Sequence, residues 1–411
     1  MKKISYLEWS VPSPRYWALL GVLALVAGVG VLSAYFMEHD GHWITGMTNL
    51  VVWGTPHVFA VFLIVAASGA LNVASIGTVF GRTPYKPLAR LSSVLAVALL
   101  AGGLAVLVLD LGRPDRLIVA MTHYNFKSIF AWNIFLYTGF MAIVLAYLFT
   151  QMERKAGGYY KPAGFGAFVW RLILTTGTGS IFGFLVSRQA YDSALMAPWF
   201  ILMSFAFGMA IFILVLLYTY KEDDRELGDV VLFRLKNVLG LFLAAVLFFT
   251  AIYHLTKLYG TKYHGVEDFI LLSGGIYTLF FWLGHVLLGG LVPMGIVWHP
   301  VLGKNRAWIA SAAGLVILGG LMTMYVVIIG AQAYPLQVFP GKTVLDLGYD
   351  IGNPGQIAPY VPSLPEFLLG LGGVAIALLI TVAGVRMLKL LPESLADAVV
   401  DPHVAARSAG K

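Results

Sequence analysis

Residues 197–219 read APWFILMSFAFGMAIFILVLLYT, a run of 23 residues without a charged side chain. An apolar helix of about 20 residues is long enough to cross the hydrocarbon core of a bilayer. The run is typical of the whole protein, because 59% of its 411 residues are hydrophobic and 11% are charged, with a mean hydropathy of +0.83. Soluble domains carry about 25% charged residues. The composition therefore indicates a membrane protein and excludes a soluble enzyme, a disordered chain and a nucleic-acid-binding module.

Outward from this run, ten segments are long and apolar enough to span a membrane. We predict an all-α, polytopic integral membrane protein with about ten transmembrane helices. No small-residue cleavage site precedes the first segment, so we expect a retained helix rather than a signal peptide. The ten predicted segments are 16–36, 51–80, 91–111, 129–149, 168–187, 197–219, 235–255, 271–292, 308–330 and 364–386.

A faint internal repeat relates segments two to five to segments six to nine at an offset of about 142–143 residues. Each period holds four helices, so the two copies would have the same orientation in the membrane. Chance similarity between apolar helices is the alternative. The predicted organisation is an N-terminal segment with the first helix at 1–50, a first four-helix bundle at 51–192 and a second at 193–335. An outer loop, the tenth helix and a cytoplasmic tail would fill 336–411.

The two copies of the repeat differ in their polar side chains. His57 matches Trp199, Arg188 matches Ala331, and Asp110 falls beside apolar or aromatic positions of the second copy. The first bundle therefore keeps ionisable groups where the second has none. We expect any chemistry to belong to the first bundle.

The distribution of basic residues predicts the orientation. Twenty of the 27 lysines and arginines lie on the side that holds both termini, and seven lie on the other side. Cytoplasmic loops carry an excess of these residues. Both termini are therefore predicted to be cytoplasmic, and the net charge of +7 reflects membrane topology rather than nucleic-acid binding.

The sequence contains no cysteine, so it can form neither a disulfide nor a thiolate-bound iron–sulfur cluster. Any electron chemistry must use a bound quinone, a haem held by His or Met, or the cofactors of partner subunits. No metal-ligand spacing is present in the sequence. We predict no metal site in this protein.

Ionisable and polar side chains gather near the outer ends of segments two to five. Charge inside a bilayer is costly, so such groups are candidates for function. A quinone needs hydrogen-bond donors for its carbonyl oxygens, and quinol oxidation needs bases that take protons. We assign the catalytic handling of protons to His57 and Asp110. The predicted quinone-binding residues are His57, Asp110, Arg113, His123, Trp132, Arg188 and Gln189.

Each of these residues also has a structural interpretation. Asp110 and Arg113, three positions apart, would neutralise each other as a helix-end pair, or Arg113 would orient Asp110 or a quinone carbonyl. Arg188 and Asp192 would form a similar pair. His57, placed about two turns inside the second helix, would otherwise hydrogen-bond the backbone freed by the preceding proline.

His285 lies at mid-membrane depth in the eighth segment. It would serve as a haem ligand, a proton-relay group or a packed histidine. The predicted helix limits place His57 and His254 about 20 Å from its level, which argues against a haem held by two histidines. We therefore retain His285 as a proton-relay candidate and predict no haem in the protein.

Three stretches of the sequence resemble those of a known family. They are the run from Gly54 through Arg82, the sequence LDLGRP at 109–114, and HYNFKS at 123–128. The protein resembles the NrfD/PsrC family of polysulfide reductase-type membrane subunits. Within it, the ten-helix branch that includes HybB of hydrogenase-2 is similar, and the DsrP type of the sulfur-metabolism complex DsrMKJOP is most similar.

The resemblance implies a quinone-reactive integral subunit of a respiratory oxidoreductase complex in a bacterial or archaeal cytoplasmic membrane, active in anaerobic or sulfur respiration. It implies menaquinone or ubiquinone as cofactor, no haem in this subunit, and a ferredoxin-like iron–sulfur subunit on the outer face. In DsrP-type complexes a multihaem cytochrome c and a haem-b membrane subunit are further partners. Family members often carry an acidic residue where this sequence reads Val61-Phe62-Leu63. A secondary transporter and a passive membrane anchor are the alternative functions.

Overall fold

A computed structural model describes residues 5–9, 13–336 and 357–400, and ten long helices account for most of them. Two-residue strands β1, Tyr6–Leu7, and β2, Leu391–Pro392, pair antiparallel. Most of the predicted outer loop falls at 337–356, outside the described residues. The helices are α1 Pro14–Asp40, α2 Thr55–Thr78, α3 Ala89–Leu109, α4 Ile129–Met152, α5 Tyr160–Gly183, α6 Met196–Glu222, α7 Asp229–Tyr259, α8 Ile276–Trp298, α9 Arg306–Ala333 and α10 Leu364–Met387.

The predicted all-α, multi-pass class is confirmed. Within the described ranges, nine of the ten long helices have the length and apolar composition of a membrane span. The exception is α5, which contains Lys161, Arg171 and the polar run TTGTGS at 175–180. These polar groups lower its hydropathy although its 24 residues are long enough to cross. The count of ten spanning helices, the repeat and the domain limits stay predictions.

Successive helices run in alternating directions, so each helix has one terminus at either end of the bundle. One end of the bundle holds the start of α2 and the end of α3, and we call it the His57 end. The opposite, far end holds the start of α1, the end of α10 and the β1–β2 pair. The segments that flank the first and last helices are thus joined by backbone pairing.

Helix α2 is the central element of the bundle. Nearly all of its residues are buried, and it packs on α3, α5, α6, α9 and α10. It approaches α6 closely where Gly69 faces the carbonyl of Ser204 and Gly208 faces Ala70. Small residues allow such backbone approach, on which helix association in lipid depends.

Two helix starts differ from the predicted limits, which changes the positions of the candidate His57 and of Arg171. Helix α2 begins at Thr55 because Gly54 is its N-cap and Pro56 fits the first turn. His57 therefore lies in the first turn, not two turns inside. Helix α5 begins at Tyr160, so Arg171 lies near its middle rather than at its start. There it is buried between the rings of Phe168 and Phe205, 4.9 and 5.1 Å from their centroids.

The start of α10 is fastened to the rest of the His57 end by one carboxylate. Glu366 is fully buried and accepts hydrogen bonds from the backbone N–H groups of Gly46 (2.9 Å) and Ser363 (2.7 Å) and from the Tyr360 hydroxyl (2.8 Å). The same hydroxyl accepts a hydrogen bond from the N–H of Thr55 at 2.7 Å. One side chain thus connects α10, the segment after α1 and the first turn of α2.

We predict that Gly69→Ala lowers stability sharply. A Cβ at this position would lie 1.6 Å from the Ser204 carbonyl oxygen, so α2 and α6 must separate, at a cost of about 1–3 kcal/mol or more. The midpoint of thermal unfolding in detergent should fall by several degrees. Gly314→Ala is the matched control, because no atom lies within 4 Å of its added Cβ. Equal midpoints for the two variants would contradict close packing of α2 on α6.

Candidate functional site

A cleft of about 560 Å³ opens at the His57 end among α2, α3, α4 and α5. Its walls are mostly apolar and include Ile64, Leu104, Leu107, Val108 and Ile181. Its polar and aromatic lining residues are Trp53, His57, Arg113, Arg116, Phe130, Asn133, Tyr137, Thr138, Thr178 and Phe182. The cleft is large enough for a small-molecule ligand, since such sites usually measure about 300–1,000 Å³.

His57 and Asp110 meet at the wall of this cleft. Nδ1 of His57 lies 2.8 Å from Oδ2 of Asp110. The His57 side chain is 18% exposed and lines the cleft, whereas the Asp110 side chain is 1% exposed and lies behind it. Oδ1 of Asp110 is buried without a hydrogen-bond partner among the described residues. Asp110 can therefore act on a ligand through the imidazole and not directly.

Asp110 reaches His57 because it caps the end of α3 beside the first turn of α2. Its N–H donates to the carbonyl of Val106 at 3.0 Å, so the residue closes the helix while its side chain turns inward. The sequence predicted both residues at one level, and the structure brings them into contact.

Trp53 forms the aromatic wall next to the imidazole. Its ring stacks on His57 with centroids 6.1 Å apart and planes 24° apart, and it also contacts Phe130 and Phe182, each at 5.8 Å. Gln332 of α9 holds the Trp53 backbone, because its Oε1 accepts from the Trp53 N–H at 3.1 Å and its Nε2 donates to the Trp53 carbonyl at 3.1 Å. Helix α9 thus orients one wall of the cleft.

Asn133 and Tyr137 of α4 bring polar atoms into the cleft that the predicted site did not include. Nδ2 of Asn133 donates to the carbonyls of Ile129 (2.8 Å) and Gly177 (3.2 Å), and Oδ1 has no hydrogen-bond partner within the described ranges. Phe130, Asn133 and Tyr137 follow the i, i+3, i+7 spacing of one helix face. That spacing was the sequence signal that could have identified them.

Arg113 lies at the rim of the cleft, but its partner is not the one predicted. Its guanidinium hydrogen-bonds Asp115, with Nε and Nη2 each 3.1 Å from a carboxylate oxygen. This contact raises the pKa of Arg113 and lowers the pKa of Asp115. The predicted pair with Asp110 is wrong, because α3 ends at Leu109 and the backbone turns through Gly112, with φ +66°.

His123 and Trp132 lie beside the cleft without lining it. His123 is exposed, and its Nδ1 is 2.9 Å from the Thr122 hydroxyl. Nε1 of Trp132 donates to the carbonyl of Phe126 at 2.8 Å. His123 lies in the loop between α3 and α4 and Trp132 in the first turn of α4, and neither side chain is among those that line the cleft.

Arg188 and Gln189 also lie outside the cleft. The Arg188 guanidinium donates to the carbonyls of Leu50 (2.7 Å) and Gln332 (2.8 Å), and partial burial lowers its pKa. The carbonyl of Gln189 accepts from Lys257 at 2.8 Å. Arg188 therefore clamps the segment before Trp53 against α9 and shapes the cleft from behind.

The predicted alternative pair of Arg188 with Asp192 is not formed. Oδ2 of Asp192 instead contacts Nζ of Lys262 at 3.3 Å and accepts from the Tyr263 hydroxyl at 2.9 Å. Both partners follow α7, so these contacts connect the segment between α5 and α6 to the segment after α7. The pair raises the pKa of Lys262.

His285 is buried in the second bundle between two threonines. Its Nε2 lies 2.8 Å from the Thr250 hydroxyl and its Nδ1 lies 2.7 Å from the Thr323 hydroxyl. It lines one small cavity together with His254, so the predicted separation of about 20 Å is wrong. Helix α7 continues to Tyr259 and α8 begins at Ile276, which brings the two histidines toward one level. Across the described ranges no three His, Asp or Glu side chains form a metal-binding group.

Comparison with known proteins identifies the family of this protein. Residues 43–335, well over half of the sequence, match the family described as polysulphide reductase, NrfD. The chain belongs to the NrfD family. The predicted family is confirmed, and the matched region includes α2 to α9 and every candidate residue named above.

Several known proteins match two thirds or more of this protein. The protein is 30% identical over 391 residues to the integral membrane subunit of an Hdr-like menaquinol oxidoreductase from Archaeoglobus fulgidus, covering 95% of this protein and 97% of that one. It is 24% identical to the integral membrane subunit of menaquinone reductase from Nitratidesulfovibrio vulgaris, covering 89% and 90%. The C component of polysulfide reductase from Wolinella succinogenes is 25% identical, covering 67% and 92%. These relatives belong to oxidoreductases, and assignment to the DsrP type stays a prediction.

We predict that Arg188→Ala destabilises the His57 end of this NrfD protein. The substitution removes a charged donor from two carbonyls, and hydrogen bonds to charged groups contribute about 1.5–3 kcal/mol. The thermal midpoint in detergent should fall, whereas the exposed Lys127→Ala should leave it unchanged. Identical midpoints would show that the clamp on Leu50 and Gln332 contributes nothing to stability.

Proposed function

We propose that this protein is the quinone-reactive membrane subunit of a respiratory oxidoreductase complex and that the cleft at the His57 end is its quinone site. The observation that carries the proposal is the His57–Asp110 contact at the wall of an apolar, aromatic cleft. A titratable pair beside a large apolar pocket is the usual form of such a site. The names of the menaquinol and menaquinone relatives support it.

The residues of the cleft suit a quinone. The apolar walls and the rings of Trp53, Phe130 and Phe182 match a flat ring with an apolar tail. A ring N–H of His57 can donate to a quinone oxygen, and Oδ1 of Asn133, which has no hydrogen-bond partner in the described ranges, can accept from a quinol hydroxyl. Buried polar atoms usually find partners, so a polar ligand or water near Oδ1 of Asn133 is expected.

His57 is the residue that would handle the proton. Among the described lining residues it is the one imidazole, the side chain that most often serves as a general acid or base in proteins. A bound quinol supplies two electrons and two protons on oxidation, and a quinone takes up the same on reduction. Nε2 of His57 accepts or donates one of these protons. The Asp110 carboxylate, 2.8 Å from Nδ1, would stabilise the charged imidazolium, so Asp110 is a positioning residue.

The electrons would pass to or from a partner at the His57 end. We propose a ferredoxin-like iron–sulfur subunit there, with a multihaem cytochrome c and a haem-b membrane subunit as further members of the complex. The cleft mouth carries exposed basic side chains, among them Arg113, Arg116 and Lys127, which suit an acidic partner surface. The protein would thus catalyse quinone chemistry only within its complex.

We further propose menaquinone as the quinone and sulfur-compound metabolism as the setting. The names of two relatives include menaquinol or menaquinone, and the name of a third includes polysulfide. The excess of basic residues at the far end supports a topology with both termini in the cytoplasm. The cleft would then open toward the outer face of the cytoplasmic membrane.

Replacement of His57 or Asp110 tests the site. In the purified complex, we expect His57→Ala to reduce quinol-dependent electron transfer at least about a hundredfold, the lower range for removal of a general base. Asp110→Asn should reduce it at least about tenfold and shift its pH profile, because the amide cannot stabilise the imidazolium. The measurement is the oxidation rate of a soluble menaquinol analogue, with subunit content checked in each sample.

His39 and Asp40 provide the matched control. They form the same 2.8 Å histidine–aspartate contact, but both side chains are largely exposed. His39→Ala and Asp40→Asn should retain the rate of the unmodified complex. Normal rates in both cleft variants would contradict the proposal. Saturable quinol binding that persists without turnover in His57→Ala would support it, whereas no binding by the intact complex would favour a transporter or a passive anchor.

A further inference from the structure

The second bundle contains its own histidine–carboxylate pair at the His57 end. Nδ1 of His254 in α7 lies 2.6 Å from Oε2 of Glu267, which belongs to a short helix at His264–Asp268. Glu267 is fully buried and His254 is 7% exposed. Gly265 and Asp268 of the same short helix are exposed, so the carboxylate lies just beneath the surface.

His285 is poised to pass a proton because of its two threonine contacts. The hydroxyls of Thr250 and Thr323 also lie within hydrogen-bond distance of carbonyls of their own helices, at 2.8 Å from Val246 and 2.7 Å from Gly319. A neutral imidazole donates at one nitrogen and accepts at the other. At least one threonine hydroxyl must then donate to the His285 ring instead of to the carbonyl of its own helix. Which ring nitrogen of His285 carries the proton therefore depends on which hydroxyl is turned toward the ring.

A small, mostly apolar cavity lies between the two histidines. It measures about 20 Å³ and is lined by His254, His285, Thr323 and Trp199. Nε1 of Trp199 is buried and has no hydrogen-bond partner among the described residues, and the residue is 3% exposed. A water molecule needs about 10–15 Å³ and two to four polar partners. The volume suffices for one water, and the His254 imidazole, the Trp199 indole N–H and the Thr323 hydroxyl are the polar groups on an otherwise apolar wall that could bind it.

The helices around this cavity have irregular backbones. Residues Phe280–Leu291 of α8, which include His285, and Val326–Gly330 of α9 form π-helix. Such segments are rare and frequently occur at functional sites. At about 1.5 Å per residue, His285 lies roughly 14 Å along α8 from its start, which is near the middle of the membrane.

We propose that the second bundle contains a proton path from the His57 end to mid-membrane, made of Glu267, His254, one water held by Trp199, Thr323 and His285. A proton moves from Glu267 to Nδ1 of His254 while Nε2 releases its proton to the water. The water passes a proton to the Thr323 hydroxyl, whose own proton moves to Nδ1 of His285. Each new O–H or N–H bond replaces one that breaks, and no electron is transferred.

The other charged groups near the path are already engaged. The ammonium of Lys257, one turn from His254, donates to the carbonyls of Gln189, Tyr191 and Asp192 at 2.8–3.1 Å. The Tyr253 hydroxyl donates to the carbonyl of Ala190. Asp192 itself contacts Lys262 and Tyr263. Glu267 is thus the acid nearest the surface on this path.

The test is hydrogen–deuterium exchange at the ring nitrogens of His285. The full-length protein, labelled with ¹⁵N-histidine and placed in lipid nanodiscs, is transferred to D₂O and followed by solid-state NMR. The His285 signal is identified by its loss in His285→Asn. We expect deuteration within about an hour in the unmodified protein, at least about tenfold slower exchange in Glu267→Gln and in Trp199→Phe, and an unchanged rate in Asp268→Asn.

Asp268→Asn is the matched control, because Asp268 adjoins Glu267 in sequence but is exposed. A His285 ring that keeps its hydrogen for a day in the unmodified protein would overturn the proposal. A normal exchange rate in either Glu267→Gln or Trp199→Phe would also overturn it. If Glu267→Gln fails to fold, Trp199→Phe alone decides, since it removes the indole donor and keeps an aromatic ring at this position.

Discussion

A carboxylate buried in a membrane protein needs a partner, and this constraint organises the His57 end. Asp110, Glu267 and Glu366 are all buried there. Glu366 is held by two backbone N–H groups and a tyrosine, donors that keep its charge in place and make it structural. Asp110 and Glu267 each contact a histidine, a partner that can take or release a proton. The partner of each carboxylate thus distinguishes a structural role, as for Glu366, from a role in proton transfer, as we propose for Asp110 and Glu267.

The two bundles use this histidine–carboxylate pair in different surroundings. In the first bundle the pair borders a cleft of about 560 Å³, and in the second it borders a cavity of about 20 Å³. One space admits an organic ligand and the other admits a water. A tryptophan lines each of the two spaces. Trp53 stacks on His57 in the cleft, and Trp199 at the small cavity has an indole N–H without a hydrogen-bond partner within the described ranges. The same local chemistry therefore suits ligand binding in one bundle and proton transfer in the other.

Sequence reasoning identified the all-α membrane class, the family and the level at which His57 and Asp110 lie. It did not identify the partners of Arg113 and Arg188. Arg113 follows a backbone turn at Gly112 that the helical pattern does not predict, and Arg188 donates to backbone carbonyls of segments that are distant in sequence. It also placed the polar residues of the second bundle too far apart, since helix limits off by four or five residues shift depth by about 6–8 Å. Glu267 was overlooked because it lies in a short helix between spans, where no repeat position matches it.

The Glu366 contacts have a consequence for how the protein is made. Helix α10 is synthesised after all the others, yet its carboxylate and Tyr360 hold the first turn of α2, which carries His57. The first turn of α2 therefore receives this support only after α10 has been synthesised. A nascent protein that stalls before α10 would present His57 on a helix start without its hydrogen bond to Tyr360.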